Sequence, residues 1–146
     1  MLGCLKKMKG NLNNGIKYLV LFSFICTILQ IFLGSLVRQF IDIQNKNLGN
    51  ELKNIWLDPA PIKFYIHRSF SIFIIFLNFL IYLILKRNNY SLILINLVLL
   101  IIILEITTGA IMFYFDFPFS SQPIHLVLAS ALFGLQSYLV FKIFKI

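Results

Sequence analysis

The stretch Leu104-Glu105-Ile106-Thr107-Thr108-Gly109 decides how this chain is read. It sets one carboxylate inside an apolar run, one helical turn before a glycine, and His125 opens the next apolar run. An earlier segment, Leu29-Gln30-Ile31-Phe32-Leu33-Gly34, has the same form and is followed by His67 at the head of its own next apolar run. Gln30 and Glu105 are 75 positions apart, and so are Gly34 and Gly109. Two copies of one helix pair are thus expected, with the only two histidines of the chain in matching places.

Composition fixes the solvent. A chain of 146 residues that is 60% hydrophobic and 12% charged cannot cover itself as a water-soluble domain. A lipid bilayer is the partner that fits. The formal charge of +8 sits at the ends of apolar runs, as flanks of membrane spans do, and not in a patch interleaved with exposed aromatics. Nucleic acid is therefore excluded as a partner. Cys4 lies in the basic N-terminal tail and Cys26 deep in the first apolar run, so two unpaired thiols are expected.

Four apolar runs, at about 18–37, 66–85, 92–114 and 124–141, are each close to the ~20 residues that cross a bilayer at ~1.5 Å per residue. The first is expected to be retained, since no small-residue cleavage site follows it. Between the first two lies the longest polar segment, 38–65, whose mixed charge, Pro59 and Pro61 predict an external loop, with a short amphipathic turn around Leu52 to Leu57. Pro123 suits the first turn of the fourth helix, where a missing N–H costs nothing. Four crossings put both ends of the chain on one side. That side collects Lys6, Lys7, Lys9, Lys17, Lys86, Arg87, Lys142 and Lys145 without an acid, which predicts cytoplasmic termini. The expected fold is all-α: one polytopic membrane domain over 1–146, a four-helix bundle of two helix-pair repeats in a bacterial inner membrane.

The polar residues inside these runs share faces. His67, Ser71 and Asn78 are spaced i, i+4, i+11, and His125, Ala129 and Gln136 repeat that spacing. Eleven steps of ~100° return within about 20° of the start, so each histidine heads a stripe of small or polar side chains. In an apolar span such a stripe turns toward protein. Gln30 and Glu105 point inward for the same reason, and Gly34 and Gly109 clear that face so that a flat, wide group can lie against the backbone. Two imidazoles at one depth on two helices of a bundle suit the axial positions of haem iron. Arg38 and Arg68, at the outer surface, are placed to pair with haem propionates. The plainer reading makes both histidines interfacial residues, Glu105 a structural partner of Thr108 or a neighbouring helix, and Phe113 to Phe119 an aromatic belt.

Taken together, Leu29-Gln30-Ile31-x-Leu33-Gly34-x-x-Val37-Arg38, His67-Arg68, the Gly109 segment and Pro123-Ile124-His125-Leu126 resemble the heme A synthase family, over roughly residues 18 to 141. The resemblance implies one of the two four-helix halves from which family members are built, each with a histidine pair at its outer side. One pair holds haem b as cofactor; the other holds haem O, whose ring methyl is oxidised to the formyl group of haem A for cytochrome c oxidase. By position His67 and His125 are then the axial ligands. Two departures bear on activity. The substrate-side half carries a glutamate one turn before its first histidine, where this chain has Phe64, and a cysteine pair common in the external loop is missing from 38–65. The chain therefore looks more like the cofactor-holding half: one half of a pair, a homodimer that rebuilds the eight-helix arrangement, or a haem carrier that has lost the chemistry. A small b-type cytochrome that transfers electrons and a non-haem structural subunit remain as alternatives.

Overall fold

The computed structural model describes residues 13–118 and 120–144, so the expectations for Cys4, Lys6, Lys7, Lys9, Phe119 and Lys145 lie outside the described residues. Four long helices run up and down: α1 Asn14–Leu48, α2 Ile62–Arg87, α3 Ile93–Tyr114 and α4 Ser121–Phe144. Each is long and apolar enough to cross a membrane, and no strand occurs among the described residues. The helices pack in a ring in which α1 touches α2 and α4, and α3 touches the same two. This leaves α2 and α4, the histidine helices, on one diagonal.

Segment 38–65 is not a loop throughout. α1 continues as helix to Leu48, because no proline or glycine interrupts the sequence before Gly49. Arg38 and Asp42 form an i,i+4 pair at 3.8 Å across an exposed face of that extension. Gly49 ends the helix with φ +75°, a left-handed conformation that costs glycine little, and its N–H closes on the Asn45 carbonyl at 2.9 Å. A short 3-10 helix, Asn50–Ile55, follows. Trp56 then folds back, 3% exposed, with its Nε1 donating to the Gly49 carbonyl and its ring 5.4 Å from Phe117 in the α3–α4 connection. The end of the bundle where α1 stops and α2 starts is thereby capped. α2 starts directly after Pro61, earlier than apolarity alone suggested, because Lys63, Phe64 and Tyr65 extend it past the apolar run.

The core is layered, and the repeat sets the layers. Thr27, Ile74, Ile102 and Leu132 supply one buried residue per helix; Ser23, Asn78, Val98 and Gln136 supply the next layer inward; Val20, Ile81, Ile95 and Leu139 the one after. Within each layer the α1 and α3 residues keep the 75-residue offset, and the α2 and α4 residues are 58 apart. Gln136 Nε2 donates to Asn78 Oδ1 at 3.2 Å, joining the two diagonal helices through their expected polar stripes. Asn78 in turn donates to the Ile74 carbonyl at 2.9 Å.

Candidate functional site

Above these layers, each histidine lies against the glycine of its hairpin partner. The His67 ring fills the space that a side chain on Gly34 would take: a Cβ there would sit 3.0 Å from Cε1. His125 lies over Gly109 in the same way, with Cε1 3.7 Å from such a Cβ. The glycine faces are thus occupied by imidazole, where the sequence suggested a bare surface for a flat group.

The second shells differ. His125 Nδ1 is 2.9 Å from Glu105 Oε2 and 2.8 Å from Thr108 Oγ1. Thr108 donates its one hydroxyl proton to the Glu105 backbone carbonyl at 3.0 Å, so its oxygen acts as an acceptor toward the histidine. With two acceptors at Nδ1, the neutral ring carries its proton there and keeps the Nε2 lone pair free. Glu105 Oε1 has no partner. Around His67 the matching positions are Gln30 and Leu33. Gln30 Nε2 donates to the His67 backbone carbonyl at 3.0 Å, which fixes the helix and not the ring. His67 Nδ1 and Gln30 Oε1 are buried and unpartnered. The Leu33–Thr108 difference was visible in the sequence; its meaning depended on which ring atom Thr108 reaches.

The other expected residues stand at the rim. Arg38 is exposed and paired with Asp42. Arg68 is exposed, its guanidinium 5.6 Å from the centre of the Phe113 ring and 3.4 Å from the Tyr114 hydroxyl. Neither arginine is gathered onto the histidines. Phe64, in the place of the missing glutamate, stacks on Phe113 at 5.2 Å with the rings 21° apart. The Phe-rich turn therefore joins Trp56 and Phe64 in an aromatic roof. Two concavities lie away from the histidines. One, shallow and of about 420 Å³, is on the flank of α2 along Tyr65, Ser69 and Phe73; a smaller one is at the opposite end of the bundle, near Leu85 and Lys142.

The model of the COX15-CtaA family, cytochrome oxidase assembly protein, matches residues 2–137. The chain belongs to this family. It is thus an integral membrane member of the cytochrome oxidase assembly protein family, as the resemblance to heme A synthase implied. No curated protein and no solved structure matches the chain. Among the described residues no group of three or more His, Cys, Asp or Glu side chains is placed to hold a bare metal ion. A metal at this site has to bring further ligands with it. The donor set of this COX15-CtaA member fits such a group: two imidazoles from diagonal helices, one fixed with Nε2 free, the other with an unpartnered buried nitrogen.

Proposed function

We propose that this chain is a heme A synthase-like haem-binding membrane protein that serves haem A biosynthesis, with one haem b held between His67 and His125. The observation that carries this reading is the pairing of the two imidazoles: matched repeat positions, diagonal helices, each ring seated on its hairpin glycine. Haem, when bound, would supply a redox-active iron, and His67 and His125 are the residues that would hold it. Glu105 and Thr108 orient His125 toward that role, and Gln30 anchors the turn that carries His67. Arg38 and Arg68, exposed near the histidine end, are the residues that would pair with the haem propionates, in forked hydrogen bonds. The basic residues Lys17, Lys86, Arg87 and Lys142 cluster at the end opposite the histidines, which favours cytoplasmic termini, an extracytoplasmic haem and a bacterial inner membrane.

The Phe64–Phe113 stack favours a cofactor-holding role over a complete catalyst, since a carboxylate is replaced by a ring locked into the roof. Oxidation of haem O to haem A then needs a second four-helix unit, a partner half or another copy of this chain. The test begins with the visible spectrum of the purified chain. A Soret band that is lost in His67→Ala and His125→Ala is expected; wild-type protein that binds no haem, even after reconstitution, removes the reading. Haems extracted after co-expression with a haem O source then report haem A if the chain completes a synthase, and unchanged haem O if it only carries haem.

A further inference from the structure

We propose that Ser23, Thr27, Asn78 and Gln136 line an internal hydrated chamber that holds ordered water beneath the histidines and opens only toward them. The proposal does not depend on what the histidines bind. Ser23 and Thr27 are 2% and 0% exposed, and both hydroxyl oxygens lack a hydrogen-bond partner. Hydroxyls in helices ordinarily bond the carbonyl one turn back. Ser35, Ser71, Thr107, Thr108, Ser130 and Ser137 all do so here. Ser23 and Thr27, the most buried of the set, do not. The amide oxygen of Gln136, a residue only 2% exposed, is unpartnered as well. Leaving such groups dry is costly, and buried polar atoms without protein partners are the usual anchors of internal water.

The placement is directional. Ser23, Thr27 and Gln30 follow one another on one face of α1, spaced four and three residues, so the polar file climbs ~10 Å. Ser23, at its lower end, belongs to the same core layer as the Asn78–Gln136 pair, and its upper end is Gln30, whose Nε2 bonds the His67 carbonyl and whose Oε1 is unpartnered. Below, Val20, Ile81, Ile95 and Leu139 close the chamber with a layer that is buried and wholly apolar. Across the bundle, the matching residues on α3 are Val98 and Ile102, so only the α1 side is wet. Water in this chamber exchanges with the histidine site and not with the inner face. It supplies that site with water and mobile protons without making a path across the bilayer.

The experiment compares full-length Ser23→Ala, Thr27→Val and the double variant with wild type in nanodiscs, with Ser35→Ala as an exposed control. If the hydroxyls hold water, each core variant lowers Tm by on the order of 4 °C, because the water loses an anchor and its other partners are left unpaired. If they are dry, replacing an unpaired hydroxyl with a methyl or hydrogen raises Tm or leaves it unchanged, and the proposal is overturned. Infrared spectra in ordinary and heavy-oxygen water give a second readout. An isotope-sensitive O–H band from ordered water is expected in wild type and absent in the double variant. A wild-type spectrum without that band, or a double variant that keeps it, also overturns the proposal.

Discussion

Adding one methyl group at Gly34 and, separately, at Gly109 tests whether the two histidines are seated as described. Alanine in place of glycine inside a helix stabilises by roughly 0.5–1 kcal/mol, because the unfolded chain loses freedom. That gain applies to both sites. At Gly109 the new Cβ meets His125 Cε1 at 3.7 Å, an ordinary contact, so the gain survives. At Gly34 it meets His67 Cε1 at 3.0 Å, well inside the ~3.5–4.0 Å optimum for carbon pairs. The whole ring edge is close, with Nδ1 3.6 Å and Nε2 3.8 Å from the same point, and the Gln30 bond to the His67 backbone carbonyl ties α1 to α2. Either α1 and α2 separate or the imidazole rotates, and overpacking of this kind costs about 1–3 kcal/mol. The expected outcome is a Gly109→Ala protein that melts about 2–4 °C above wild type and a Gly34→Ala protein that melts below it. Thermal unfolding in nanodiscs measures the order. A Gly34→Ala protein as stable as the Gly109→Ala protein would refute the seating of His67.

Glu105→Gln keeps the shape of the His125 partner and removes its charge, so haemin titration should show affinity reduced by about tenfold or more, with the spectrum of the bound form retained; unchanged affinity would mean that the carboxylate does not steady the ligand. Asn78→Leu leaves the Gln136 amide without its acceptor and should cost about 1–3 kcal/mol, whereas Asn78→Leu with Gln136→Leu should recover most of that loss; equal melting temperatures for single and double variants would show that the pair is not a pair. Trp56→Ala removes the wedge between the outer connection and Phe117, worth about 3 kcal/mol, and should raise proteolysis between Gly49 and Pro61 by up to roughly a hundredfold while the four helices stay intact.

Much of the fold was legible because lipid makes it so. In an apolar medium a spanning segment has to satisfy its own backbone as a helix, and the polar residues inside it mark the inward face. The stripes through Asn78 and Gln136 were readable from spacing alone, and the two amides do meet. The extension of α1 was not, because its outer part is polar and apolarity marks only the membrane-spanning portion of a helix. Trp56 in the core of the outer cap left no periodic signal: it is a single residue between turns, buried by a contact with a distant connection. At the site, the sequence placed the histidines on the second and fourth long helices, where the structure has them. It could not show that the glycines make room for the imidazoles themselves, since a missing side chain does not say what fills the gap.

The repeat explains why the departures from symmetry carry the chemistry. Two helix pairs of one design give equivalent layers, and most layers keep the equivalence: Val20 with Ile95, Ile74 with Leu132, Ile81 with Leu139. Where the halves diverge, they do so next to the histidines. Glu105 and Thr108 stand where the first half has Gln30 and Leu33, and Thr27 and Ser23 stand where the second half has Ile102 and Val98. The second half therefore fixes its imidazole by a carboxylate and a hydroxyl, while the first half leaves its imidazole free at Nδ1 and places polar groups below it. A structural bundle gains nothing from that division, because a part-buried carboxylate and unpaired buried oxygens each cost stability. Under the proposed function those costly groups have a purpose: His125 would be the steadied ligand, His67 the adjustable one, and the polar file on α1 would hydrate the site from the His67 side.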